Sequence, residues 1–427
     1  MDSSYSKSQG FLKRRRDSRL DSYRNSPEDI TAHYSDEGQI QADYHKRFAF
    51  ELIQNADDAM QDLEGEKKVR FELNNDTLLV ANTGRPINEE DVKALCTMSY
   101  TTKDAEGEER ASIGHKGRGF SSVSEITNRP QVFSKGISFE FDRGRSREEI
   151  QKVVQELDNI SMAEISGVPL MRLPFSPDET PERVKELFES GFNTVFRFEL
   201  ETDQIKQDVI ESIKDLDRDT VLFLNELETL EVGVEGGLEA SWKVNRENKE
   251  IKGDRTNLQF IEVIHSAEDL ERDEKATFAF FSRNYVEIGE NKGGINKETW
   301  GEVNYTEIGL ALRVEKQDEG THLRPLDKNS GDRPFVHVFL PTEERCPIPV
   351  LINGAFHTAI SRTNINVTSD KDNYNGFLLQ QVADLLATDV CRYAKKSATT
   401  IEEFIECLDF TQLSEDQLTD KDNLEGR

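Results

Sequence analysis

The sequence predicts an α+β protein, and three observations carry that expectation. Residues 39–63 repeat apolar side chains at helical spacing: Ile40, Tyr44, Phe48, Leu52, Ala56, Ala59 and Met60. Two short β-like runs follow directly, at 68–73 and 77–81. From Val221 to about Leu340 strand patterns dominate (LETLEVGV, ASWKVNR, ATFAFFSRN, IGLALRVE, RPFVHVFLP), separated by acidic loops.

Between these blocks each element has its own signal. Residues 1–28 hold seven Lys/Arg (Lys7, Lys13, Arg14, Arg15, Arg16, Arg19, Arg24) and few large apolar side chains, which reads as a mobile basic arm over 1–30. Asn74-Asn75-Asp76 turns the two strands into a hairpin. Residues 82–87 form a Gly/Pro turn, and 89–96 a short helix with Asn88 as N-cap. The polar, aperiodic 101–110 is a loop, and the Gly-rich 112–120 leads into a helix through Ile126. Strands are expected in 131–141, a charged helix over 145–157, a strong strand at 191–200, an acidic helical zone near 201–216 and an amphipathic helix over 374–393. The chain ends, from about 411, in an acidic stretch that frays.

Composition bounds the function. At 427 residues with 24 Phe, the chain can build two or three domains and a substantial core. No apolar run reaches the roughly 18 residues that a membrane helix needs, so no membrane partner is expected. The basic N-terminus lacks the apolar stretch of a secretory signal. Cys96, Cys346, Cys391 and Cys407 lie far apart with no CxxC, which suits a reducing cytoplasm and argues against a zinc site. A net charge of −29 disfavours non-specific nucleic-acid binding by the body of the protein, leaving the basic arm as the place for it. That acidity fits a high-salt cytoplasm and an ordinary acidic surface equally well.

The chemistry concentrates in three stretches. In ELIQNADDA, Glu51, Asn55 and Asp58 fall at i, i+4 and i+7, on one helical face, while Leu52, Ala56 and Ala59 take the adjoining stripe. A carboxylate that polarises water, one turn from an amide oxygen able to hold Mg²⁺, is what metal-assisted phosphate hydrolysis needs. In LLVANTGRPI a strand runs into Asn82 and Gly84, where a short polar side chain can meet a base edge and glycine lets a ligand approach the backbone. In SIGHKGRGFSSV, Gly114, Gly117 and Gly119 precede a helix start whose N–H groups can cradle phosphates, with Lys116 and Arg118 adding charge.

In order and spacing these stretches resemble the GHKL ATPase superfamily, which takes in gyrase B subunits, heat-shock chaperones, histidine kinases and mismatch-repair ATPases. IGHKGRGFSSVSEIT, RPQVFSKGISFEFD, FLPTEERCPIPVLINGAF and ISRTNI look most like its sacsin-type branch. The likeness covers roughly 31–395. It implies a two-layer α/β sandwich of the Bergerat type over 31–200, a mixed sheet with helices on one face. A second α/β, transducer-like domain would occupy 201–395, with a C-terminal helix and acidic tail over 396–427. The cofactors implied are ATP and Mg²⁺. Glu51 would be the general base and Asn55 the Mg²⁺ ligand; Asp58 would line the pocket, and Asn82 and Gly84 would sit at the adenine. Gly114, Gly117 and Gly119 would hold the phosphates, with Lys116 adding charge and Phe120 packing behind. Residues 101–111 would be a lid, with Lys103 a phosphate contact. Arg362, in AISRTNI, would enter from the second domain as a catalytic cation, against the plain alternative of a surface ion pair. Asn82 stands where the superfamily usually has Asp; its oxygen can accept from adenine N6, and its NH₂ then needs another partner. No phospho-acceptor helix precedes the motifs, so a histidine-kinase role is not expected. The function implied is a slow ATPase working as a conformational switch, chaperone-like or assembly-gating, in a microbial defence or nucleic-acid-linked setting. A nucleotide-binding module without turnover is the alternative. Partners expected are a protein client or partner subunits, including a second copy of the chain as a homodimer.

Overall fold

The computed structural model describes residues 3–43, 47–97, 119–157, 160–234, 239–250, 256–268, 270–289, 291, 304–318, 320–326, 334–346, 348–358, 364–365 and 374–408. The helical run predicted over 39–63 is two helices, α2 (Glu28–Asp43) and α3 (Phe48–Ala59). On α3, Phe48, Leu52, Ile53 and Ala56 recur at helical spacing and are buried. β1 (Lys68–Asn74) and β2 (Thr77–Asn82) form the expected hairpin, and Asn75 takes φ 51° in its turn, a left-handed value that asparagine tolerates. α4 (Glu89–Thr97) starts as read: Asn88 Oδ1 accepts from the N–H groups of Glu90 and Asp91 at 2.8 and 3.1 Å. A 3₁₀ turn, Gly119–Glu125, leads to β3 (Gln131–Ser134) and β4 (Phe139–Glu140). Then come α5 (Arg143–Gln155), α6 (Glu182–Glu189) and β5 (Thr194–Glu199).

Cross-strand register sets the layers. On one face lie the rows Leu73–Leu78–Phe198 and Phe71–Val80–Phe196–Val132, which meet α3 in the main core. The alternate residues Leu79, Ala81, Phe133 and Val195 point the other way and bury Val184 and Leu187 of α6. Helices therefore cover both faces here, not the single face implied by the resemblance.

The second half continues the same sheet. α7 (Asp203–Lys214) and α8 (Arg218–Leu222) lead to β6 (Thr229–Val234), which pairs parallel with β1, Phe71 opposite Val232. Long antiparallel strands follow: β7 (Ala240–Glu250), β8 (Asn257–Ala267), β9 (Glu274–Glu287) and β10 (Tyr305–Gln317). Shorter strands β11 (Gly320–Arg324), β12 (Phe335–Val338), β13 (Leu340–Arg345) and β14 (Leu351–Gly354) complete a 14-stranded mixed sheet. Its order is β13-β12-β14-β10-β9-β8-β7-β6-β1-β2-β5-β3-β4, with β11 on β10. The boundary expected at 200/201 is thus crossed by one hydrogen-bonded ladder. A second core lies between β8–β10 and α9 (Tyr374–Leu385), whose Leu378, Val382 and Leu385 are buried. The helix runs on through a π turn, Leu386–Val390, into α10 (Cys391–Ala394), and α11 (Ile401–Glu406) follows.

The N-terminal segment corrects the mobile-arm expectation over 1–30. Residues Ser3–Asn25 form helix α1. Phe11 and Leu12 enter the main core; Leu20 and Tyr23, with Ile30 of α2, pack against Ile150, Val153 and Leu173. The basic side chains are used internally as well. Arg16 donates to Pro174 O at 3.1 Å and lies 4.9 Å over the Phe175 ring, and Arg24 bonds Glu156 at 2.8 Å. The few apolar residues of the stretch are divided between two cores, Phe11 and Leu12 in one and Leu20 and Tyr23 in the other, a docking that its basic composition masked. The four cysteines are free thiols. Among the described residues no helix is long and apolar enough to cross a membrane.

Two outcomes follow. Leu12→Ala removes a side chain that is 1% exposed and is expected to cost about 3 kcal/mol, read as a lowered denaturation midpoint. Burial pushes the imidazoles of His33 and His337 down from 6.5 to about 4. Both stay neutral when folded and take up protons on unfolding, so stability is full above about pH 6.5 and declines toward about pH 4. The melting temperature should fall between pH 7 and pH 5, with a shallower slope in His337→Phe.

Candidate functional site

Helix α3 sets out the polar face of the site. Glu51 and Asn55 are one turn apart, about 6 Å along the axis. Glu51 is 4% exposed, whereas Asn55 and Asp58 are exposed. The C-terminal end of this helix meets the turn after β2. Arg85 N–H donates to Ala59 O at 2.7 Å, and a Cβ on Gly84 would come within 2.7 Å of the Ala59 Cβ. Glycine is required there for that close approach.

The turn is tied on its other sides too. Asn82 Oδ1 accepts the Gly84 N–H at 3.0 Å, and Thr83 Oγ1 accepts the Lys68 N–H at 2.9 Å. Asn193 donates its Nδ2 to Thr83 O at 2.8 Å and to Gly84 O at 3.1 Å, and its N–H to Asn82 O at 2.9 Å. Register then places a polar row across the sheet at the margin of the apolar floor. Asn82 stands opposite Thr194, and Thr194 opposite Ser134, their hydroxyls 3.2 Å apart. All three are buried. Phe120 covers the floor from the 3₁₀ turn that begins at Gly119, its ring 5.5 Å from that of Phe196.

The structure thus brings Glu51, Asn55, Asp58, Asn82, Gly84, Gly119 and Phe120 into one neighbourhood. Lys103, Gly114, Lys116, Gly117 and Arg362, with the lid expected at 101–111, lie outside the described residues. Among the described residues no cluster of three or more His, Cys, Asp or Glu side chains could hold a metal. The single exposed carboxamide of Asn55 suits a Mg²⁺ held mainly by phosphate oxygens and water. An open groove of about 1170 Å³ lies elsewhere, between α7 and strands β6–β8, lined among others by Leu216, Arg218, Trp242 and His265.

Three features escaped the sequence reading. Thr194 and Ser134 join the site only through strand pairing, which no local pattern announces. Asn193, next to Thr194, locks the turn. Asp57, inside the first motif, has a different task from its neighbours. It is 5% exposed and accepts the N–H groups of Asn225, Glu226 and Leu227 at 3.1, 2.9 and 2.7 Å. Burial pushes its carboxyl up from the usual range, against those three donors and the Arg246 guanidinium. Arg246 in turn donates to Leu227 O at 2.8 Å and Leu224 O at 2.7 Å, holding the same segment from the other side. The available signal was position: Asp57 shares its stripe with Ile53 and Met60, both buried.

No protein-family model matches the chain. The chain is 36% identical over 95 residues to Protein NO VEIN of Arabidopsis thaliana, a match covering 22% of this chain. It spans 3% of that protein's length.

Asp57→Asn exchanges a charged acceptor of three N–H groups for a neutral one with a single oxygen. A loss of about 3 kcal/mol is expected in chemical denaturation.

Proposed function

We propose that this chain is a Mg²⁺-dependent ATPase of the GHKL type, most like its sacsin branch, turning over slowly as a conformational switch. The observation that carries the reading is the placement of Glu51 and Asn55 one turn apart on a helix whose end abuts the Asn82–Gly84 turn. In this reading the base sits at the row of Asn82 and Thr194, beside the turn that the end of α3 abuts. Asn55 would hold Mg²⁺ through its carboxamide oxygen, and Glu51 would orient a water and take its proton. Bound Mg²⁺ supplies charge neutralisation at the phosphate oxygens. The resemblance assigns the phosphates to Gly114, Gly117, Gly119, Lys103 and Lys116, and the role of catalytic cation to Arg362. Closure of the lid and of the second half, or of a second copy of the chain, changes what a protein client or partner meets; the work done is chaperone-like remodelling or gating of an assembly.

A nucleotide-holding interaction module without turnover is the second reading, and the burial of Glu51 favours it. Phosphate release at saturating Mg·ATP decides between them. Glu51→Gln is expected to lower the rate about 100-fold while leaving ATP binding intact. Wild-type release no greater than that of the variant would sink the enzyme reading.

A further inference from the structure

Helix α3 begins where the two halves of the chain touch. Arg47, the residue before its first turn, is 9% exposed. Its guanidinium lies over the Phe50 ring at 5.1 Å and donates to Pro341 O of β13 at 3.3 Å. Its own carbonyl accepts the Glu51 N–H at 3.2 Å. One residue thus bonds the edge strand of the sheet with its side chain and the backbone of the site carboxylate with its main chain.

The strand that Arg47 reaches is set by a constrained turn. Phe339, between β12 and β13, takes φ 63° while only 7% exposed, a left-handed value that a bulky side chain adopts only when its surroundings impose it. The effect is a change of face. Residues two apart in a strand share one side of the sheet. Here Val338 lies in the second core, whereas Leu340 lies in the main core with Leu52 and Ile53 of α3. Asn353 of β14 holds the turn in this form, its Oδ1 accepting the Phe339 N–H at 2.9 Å. The crossing carries Pro341 O to Arg47.

We propose that Arg47 is a positioning residue for Glu51, through which the β12–β13 turn of the second half sets the helix that carries the site. The inference rests on the ATPase reading for what Glu51 does; the tie between turn and helix does not. A buried guanidinium keeps its charge, so it follows its acceptors instead of giving them up. When the Phe339 turn relaxes, Pro341 O moves, and Arg47 takes the first turn of α3 with it. Asp57 anchors the far end of the same helix to the N–H groups of residues 225–227, so the displacement falls on Glu51. The Asn82–Gly84 turn abuts that anchored end, at Ala59, and keeps its place. The signature is therefore a loss of turnover with nucleotide affinity retained.

The test is a double-mutant cycle on the full chain with Mg·ATP. Arg47→Met keeps an apolar stem beside Phe50 and removes the donors, and Asn353→Ala frees the Phe339 N–H. Each is expected to lower kcat about tenfold, with KM within about threefold of the wild type. Because both act along one path, the double variant should be about as slow as the slower single, whereas independent losses multiply to about a hundredfold. Hydrogen exchange on the nucleotide-free chain is the second arm. The peptide containing Glu51 should exchange at least about threefold faster in each single variant. Multiplied losses in the double variant, a rise in KM at unchanged kcat, or exchange at Glu51 that Asn353→Ala leaves as it was would each overturn the proposal. A wild type that releases no phosphate sinks the ATPase reading alone, and the exchange arm then decides the tie. Should Arg47→Met fail to fold, Asn353→Ala still reads both kcat against KM and exchange at Glu51.

Discussion

A buried carboxylate with three backbone N–H groups on it and a guanidinium close behind holds this architecture in register. Asp57 comes from the site helix, Arg246 from β7, and between them they take up the donors and acceptors of residues 224–227. Either charge alone would be costly to bury; together with the backbone dipoles they satisfy a segment that has no partner strand. That segment delivers the chain into β6, and β6 lies parallel on β1. The grip therefore settles at once where α3 sits over the sheet and where the second half of the chain begins. Glu51 and Asn55 inherit their positions from it.

The site built on that frame divides its work by solvation. Apolar rows from four strands form a floor, and the polar row of Asn82, Thr194 and Ser134 closes its margin. Each of those polar groups is tied to backbone or to its neighbour before any ligand arrives, so the margin is preorganised and little conformational entropy remains to be lost there. Asn55 and Asp58, by contrast, stand in water on the open face of α3. The rigid end and the hydrated end of the neighbourhood are joined by the contact of Gly84 with Ala59.

Local patterns were legible and long-range ones were not. The α3 stripe, the β1–β2 hairpin and the Asn88 cap each depend on residues within a few positions of one another, and each stands where the sequence put it. The docking of α1 was hidden because its apolar residues are few and spread around the helix, and its basic side chains are long enough to lie along a surface. β8 was missed where charged and apolar residues mix in NLQFIEVIHSA. The Thr194–Asn82 pairing joins residues more than a hundred positions apart, and register of that kind is written in no single segment. Asp57 drew no reading of its own, and its place on the core stripe beside Ile53 and Met60 was the mark that set it apart.

The unbroken ladder from β4 to β13 has a mechanical consequence. Two bodies joined by a tether can swing independently, and slack in the tether dissipates any push. A single twisted plate has no slack. Pressure applied at α3 bears on β1 and passes into β6, and from there toward β8–β10 and the helix α9 packed on them. Closure of the second half would then travel as added twist through the shared sheet instead of as rotation about a free tether.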